Sequence, residues 1–200
     1  LPSTPVPRKA TIADVDGMSA LINEFASARI MLARGPLYLY QSIQDYRVIT
    51  VPVNGRETVV ACGGLHVLWE DLAEVRSVAV HPALQNKGLG RAMVLALIED
   101  ARRLLVRHVF TFTLAEPFFR TLGFSAIARE TIPPVVWAEC SKCPKFYKCD
   151  EVGMMLQIAT DDGDMEVQIV EVNDKVVVLD ANHPLAGEDL TFDIEVIDVK

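Results

Sequence analysis

The chain has 200 residues, half of them hydrophobic and 23% charged, with a formal net charge of −8. That length can bury a proper core in one or two domains, and no apolar run approaches the ~20 residues of a membrane-spanning helix. The start, LPSTPVPRKA, lacks the apolar stretch of a secretory signal, so the expectation is a cytoplasmic protein with no membrane partner.

In chain order, residues 8–12 predict a first strand. Asp14 or Asp16 caps a helix that runs through Met18, Leu21, Ile22 and Phe25. Residues 29–36 read as a loop, and 37–45 as a short helix with Leu39 and Ile43 inward. Residues 47–53 alternate as a strand, Asn54-Gly55 is a hairpin turn, and 58–69 is the partner strand. Gly63-Gly64 marks a bulge or a close backbone approach. The β-branched run 75–80 is a central strand bounded by His81-Pro82. Residues 91–106 hold no Gly or Pro. There Met93, Leu97, Ala101 and Leu104 form an apolar face, and Glu99, Arg102 and Arg103 a charged one. A strand follows at 108–114, a short helix at 115–122 ending on Gly123, and a strand at 124–128.

Between the central strand and the long helix lies Gln85-Asn86-Lys87-Gly88-Leu89-Gly90. Glycines there let a ligand approach the backbone, and the first helical turn offers unpaired N–H groups and the positive end of the dipole. A pyrophosphate suits such a site, with Lys87 and Arg91 adding charge. The spacing is neither G-x-G-x-x-G nor the P-loop. It resembles the acetyl-CoA pyrophosphate loop of the GNAT superfamily of N-acetyltransferases, written R/Q-x-x-G-x-G/A. The resemblance implies an α+β GNAT fold, a mixed and mostly antiparallel sheet flanked by helices, with acetyl-CoA as co-substrate. It assigns the cofactor to Gln85, Asn86, Lys87, Gly88, Leu89, Gly90 and Arg91. The pantetheine arm would lie along the backbone of Val78, Ala79 and Val80, where the strands of Val78 and Phe112 splay apart. The run EPFFRTLGF resembles the family's segment beside the cofactor tail. Phe118 and Phe119 stand there where a Tyr often protonates the departing thiolate, and a Phe has no proton to give.

Two further runs, CGGLHVLWEDLAEVRSVAVHP and PPVVWAECSKCPKFYKCDEVGM, resemble short bacterial N-acetylglutamate synthases. This implies L-glutamate as the acceptor, in arginine biosynthesis, with another small amine as the alternative. An α-amine is largely protonated at neutral pH and must lose a proton to attack. Glu74, at the start of the central strand, is the candidate base; the alternatives are a solvated edge residue or a partner of Arg76. By the period of two, Glu74, Arg76 and Val78 share one face. Arg76 is the candidate for binding a substrate carboxylate, with a structural pair to Glu74 as the alternative, and Arg34 is a second candidate. His66, His81 and His108 are isolated and read as packed or surface residues. Cys140, Cys143 and Cys149 form C-x2-C-x5-C, but the second half of a paired zinc site is missing, so no metal is expected.

Residues 157–200 carry a net charge of −10, against +2 for residues 1–156, which places a domain boundary near Leu156 and argues against nucleic acid as a partner. This small all-β appendage predicts strands at 156–159, 165–172, 175–180 and 190–199. DANHPLAGEDLTFDIEVIDV resembles the end of SlyD-type prolyl isomerases of the FK506-binding-protein class. Phe192 matches an aromatic of that family's pocket, and Leu185 and Ala186 its adjoining loop. The rest of that fold has no counterpart here, so no isomerase activity is expected. A peptide-binding or chaperone-like role through the tail is the alternative function. Unpaired strand edges make a homodimer plausible.

Overall fold

The computed structural model describes residues 5–128, 131–141, 143, 145–158, 168–172 and 177–180. The chain divides into two compact units, Leu1–Thr160 and Asp161–Lys200. The strands of the first are β1 (Arg8–Lys9), β2 (Tyr46–Val53), β3 (Arg56–Trp69), β4 (Leu72–Val80), β5 (His108–Thr113), β6 (Ser125–Ala126) and β7 (Val152–Gln157). They form one sheet in the order β1-β2-β3-β4-β5-β7-β6. Every neighbouring pair is antiparallel except β4 and β5.

That one parallel pair makes the opening. β4 and β5 pair only from Leu72 with His108 to Glu74 with Phe110. Beyond Glu74, β4 stays on β3 while β5 runs on with β7, leaving Val78 on one lip and Phe112 on the other. The strands of Val78 and Phe112 splay apart, as the GNAT resemblance implies.

The helices are α1 (Val15–Ser27), α2 (Pro36–Gln41), α3 (Leu89–Arg103), α4 (Glu116–Arg120) and α5 (Trp137–Cys140). α1 buries Val15, Met18, Leu21 and Ile22 against Tyr46, Val48, Cys62 and Ala79. Asp14 precedes it but makes no side-chain cap to it. Its carboxylate turns back to accept from the Thr11 N–H at 2.7 Å and from Arg8 at 2.7 and 2.8 Å. On the other face, α3 buries Met93, Val94, Leu97, Ile98 and Ala101 against Val60, Val75 and Val109. Leu104, expected inward, is 57% exposed, because α3 ends at Arg103 and the chain turns at Leu105 with φ +58°. Arg47 fixes β2 to α3 through Asp100 at 2.6 and 2.7 Å. Burial works to raise the Asp100 carboxyl, and hydrogen bonds from Arg47 and Lys9 outweigh it and hold it low.

The β3–β4 register contains a bulge. Gly64 opposes Arg76, but Cys62 opposes Ala79, so Gly63 alone faces Ser77 and Val78. Ser77 takes φ +53°, in the left-handed region. The extra residue resets the alternation. Val75 and Val78 both pack toward α3, and Ala79 packs with α1. The expected shared face therefore holds for Glu74 and Arg76 and not for Val78.

β7 runs through Leu156, where the sequence places a boundary, and Ile158 is buried in the same core as α3. In the second unit, β8 (Gln168–Val172) and β9 (Val177–Asp180) form an antiparallel pair with Ile169 opposite Leu179. The expected strand at 190–199, and with it Leu185, Ala186 and Phe192, lies outside the described residues. Among the described residues, no helix is long and apolar enough to cross a membrane.

Candidate active site

α3 starts from a left-handed turn, with Asn86 at φ +58° and Gly88 at φ +84°. Gly88 is the N-cap, and its carbonyl accepts from Ala92 N–H at 2.9 Å. The amides of Leu89, Gly90 and Arg91 precede that bond and point off the helix end, as an anion site requires. At Gly88 the backbone angle, not crowding, excludes a side chain. A Cβ on Gly90 would stand 3.6 Å from Phe118 and 3.7 Å from Val80. The chain's own packing tolerates that, so what glycine adds at 90 is bare backbone. Gln85 braces the loop, its Nε2 donating to the Val80 carbonyl at 3.1 Å. Lys87 is exposed, and Arg91 reaches the Thr121 carbonyl at 3.3 Å. Leu89 buries its side chain, so only its amide serves the loop.

Phe118 is half-buried beside Gly90. Phe119 is a core residue, edge-on to Phe118 at 5.1 Å and Phe124 at 5.2 Å. Adjacent residues of the short α4 point to different sides, so only Phe118 stands at the loop.

A cleft of about 930 Å³ opens at the split. Its walls are the β4 residues Glu74, Arg76 and Ser77, Phe112 of β5, the loop after α1, and the segment carrying Trp137 and Phe146. Arg76 is only 6% exposed. Its Nη1 lies 3.7 Å from Glu74 Oε2 and its Nη2 3.7 Å from Asp45 Oδ2. Arg34, on the loop after α1, sets its guanidinium carbon 4.3 Å from the Tyr38 ring centre, and that of Arg76 lies 5.6 Å from the same ring. Asn23 of α1 holds the Arg34 backbone, accepting its N–H at 3.2 Å and donating to its carbonyl at 2.9 Å. Glu74, Arg76 and Arg34 thus meet in one cleft.

Sequence reasoning missed His66. It lines the same cleft, with Nδ1 2.7 Å from Asp45 Oδ2. Counting back from the turn at Glu70-Asp71 would set His66 opposite Val75; a register shift between Val67 and Trp69 brings it opposite Glu74 instead, and nothing in the sequence announces that shift. His108 pairs with Asp71 at 2.9 Å, and His81 accepts from the Ala83 N–H at 3.3 Å. The buried Tyr46 donates to Ser77 Oγ at 3.3 Å, fastening the bulge, and burial pushes its phenol up.

Cys140, Cys143 and Cys149 are free thiols on the cleft wall opposite β4. Burial pushes Cys140 up to about 11. Burial, with Asp150 beside it, also raises Glu151 at the same wall. Among the described residues, no group of three or more His, Cys, Asp or Glu is arranged to hold a metal.

Residues 19–124 match the model of the acetyltransferase (GNAT) family. An amino-acid acetyltransferase of Mycobacterium tuberculosis is 38% identical over 136 residues, covering 68% of this chain and 76% of that protein. Among solved structures, Rv2747 of M. tuberculosis in complex with CoA and NLQ superposes with a TM-score of 0.66 at 32% identity, over 78% of this chain and all of that one. An N-acetylglutamate synthase of Neisseria gonorrhoeae complexed with coenzyme A and N-acetyl-glutamate shares the fold, with a TM-score of 0.69 at 19% identity, over 80% of this chain and 36% of that one. Separately, 50 residues, a quarter of this chain, are 50% identical to a piece of the FKBP-type prolyl isomerase SlyD of Yersinia pestis, about a quarter of that protein's length (26%). The sheet split at β4 and β5, the glycine turn that opens α3 and the family match agree: the chain belongs to the GNAT acetyltransferase family.

Proposed function

We propose that the protein transfers the acetyl group of acetyl-CoA to the α-amino group of L-glutamate, in arginine biosynthesis. The loop from Gln85 to Arg91 takes the pyrophosphate on the amides that open α3. The unpaired edge of β4 beyond Glu74, at Val78, Ala79 and Val80, takes the pantetheine arm as an added strand and points the thioester into the cleft. The acceptor binds in the cleft, its carboxylates held by Arg76 and Arg34. Its amine attacks the thioester carbonyl directly in a ternary complex, with Glu74 as proton acceptor. A backbone N–H polarises the carbonyl, so most of the catalysis is positioning and electrostatics.

The observation that carries this reading is the pairing of Arg34 and Arg76 around Tyr38 beside the split. Two guanidiniums set close together suit an acceptor with two carboxylates. The M. tuberculosis relative supports an amino-acid acceptor by what it is named for.

The test is calorimetric titration of acetyl-CoA, with and without L-glutamate. Micromolar binding that Gly88→Asp and Gly90→Asp abolish, with CoA released only when glutamate is present, supports the reading. Arg76→Gln is expected to raise the KM for glutamate at least about tenfold, the cost of a lost charged hydrogen bond, and to leave acetyl-CoA binding unchanged. Binding without turnover on glutamate moves the acceptor to another amine. No acetyl-CoA binding overturns the enzyme.

A further inference from the structure

Resting on this acetyl-transfer reading, we propose that His66, oriented by Asp45, carries the acceptor's proton out of the site. Three observations support it. First, Asp45 Oδ2 stands 2.7 Å from His66 Nδ1. An ionised carboxylate only accepts hydrogen bonds, so Nδ1 carries the hydrogen and Nε2 is left with the lone pair. This is the base-and-orienter arrangement of general-base sites.

Second, His66 and Glu74 are directly opposed in the antiparallel β3–β4 pair. Directly opposed residues share a face, with Cβ atoms about 4.5–5.5 Å apart. Both side chains line the acceptor cleft. Third, exposure rises along the row. The Glu74 side chain is 18% exposed and that of His66 37%, so the imidazole is the member that reaches solvent. Glu74 is also engaged with Arg76, whereas the polar contact of His66 is to Asp45, which stabilises the imidazolium once formed. The other charged groups that line the cleft with His66 and Glu74 are Arg76, 3.7 Å from the same Asp45 oxygen, and Arg29, Arg34, Lys145 and Glu151.

The proton balance is complete. The acceptor ammonium gives a proton to the Glu74 carboxylate, which passes it to His66 Nε2, and the imidazolium releases it to solvent. The freed nitrogen lone pair forms the C–N bond to the acetyl carbonyl carbon. The C–S bond then breaks, and its electron pair leaves on sulfur as the CoA thiolate, which takes a proton from water. The second amine proton follows the same route out.

The test compares wild type with His66→Gln, Asp45→Asn, Glu74→Gln, the Glu74→Gln/His66→Gln double variant and His66→Gly. Acetyl-CoA affinity, the unfolding midpoint and turnover over a panel of amino acids are measured first on the wild type. A wrong acceptor then shows as a wild type that prefers another amino acid, and the variants are compared on that one. His66→Gln is expected to lower kcat about 10²-fold, with acetyl-CoA affinity and the unfolding midpoint unchanged. Asp45→Asn shows a smaller loss, added imidazole restores turnover to His66→Gly, and the double variant is no slower than its slower parent, as one route demands. A His66→Gln kcat within threefold of wild type, no restoration by imidazole, or multiplying losses in the double variant overturns the proposal and leaves the acetyltransferase intact. A wild type that acetylates no amine overturns both.

Discussion

At the scale of single residues, the chain separates carboxylates that hold the fold from those that face the cleft. Asp14 belongs to the first kind. Hydrogen bonds from Arg8, with help from Thr11, outweigh burial and hold its carboxyl at about 2. A depressed carboxyl stabilises the fold fully above its ordinary value near 3.8, and that stability drains away as pH falls toward 2. Because Arg8 is 44% exposed, solvent screens the pair, and the contribution is about 1–2 kcal/mol. Asp14→Asn is therefore expected to unfold at lower urea than wild type at pH 7, and the gap should close as both are titrated from pH 4 toward pH 2. The thiols divide in the same way. Cys62 is fully buried and pushed up to about 12, so iodoacetamide at pH 8 should leave it unlabelled in the native protein and label it once denatured. Cys140, raised to about 11 on the cleft wall, should label slowly, and more slowly still with the acceptor bound; peptide mass spectrometry reads both outcomes.

At the scale of elements, the bulge in β4 is the feature on which the site's geometry depends. Tyr46 lies over Gly64, where an added Cβ would stand 3.1 and 3.2 Å from ring carbons, and its hydroxyl reaches Ser77. The ring is fully buried and has nowhere to move. Gly64→Ala is expected to cost about 1–3 kcal/mol by overpacking and to lower kcat by pulling Tyr46 off Ser77. Tyr46→Phe keeps the ring and loses about 1 kcal/mol with the hydrogen bond. Urea midpoints and kcat on the two variants separate crowding from bonding. Much of this region was legible in the sequence. Periodicity located α1, α3 and the β2–β3 hairpin, and the loop before α3 was readable because only a few glycine spacings suit a phosphate. The bulge was legible only on the β3 side, through Gly63-Gly64. The residue that takes the left-handed angle is Ser77, and nothing in its type announces it. That one conformation turned Val78 away from Glu74 and Arg76. His66 was hidden for a related reason, since its partner Asp45 lies 21 residues away and only the folded sheet brings the two together.

At the scale of the whole molecule, charge and pairing mark different ends for the first unit. The acidic composition begins near residue 157, but β7 pairs from Val152 with Thr113 to Gln157 with His108, and Ile158 is buried behind it. Charge reports how a segment is solvated, whereas a strand inside a sheet is held by its hydrogen bonds on both sides and by burial on both faces, here Met154 in the core with α3 and Gly153 on the opposite face toward Ile127 and Ile132. β7 stands between β5 and β6, so without it β5 loses its partner on the side away from β4, and that edge would be open along the cleft wall. The first compact unit ends at Thr160. A chain ending at Thr160 is expected to fold, to bind acetyl-CoA with the affinity of the full chain and to keep its kcat, whereas a chain ending at Glu151 should be insoluble or molten. Calorimetry on the first, and circular dichroism with size-exclusion chromatography on both, read the outcome. A Thr160 chain that folds but loses turnover would show that Asp161–Lys200 takes part in the reaction, and would turn attention to the segment similar to SlyD.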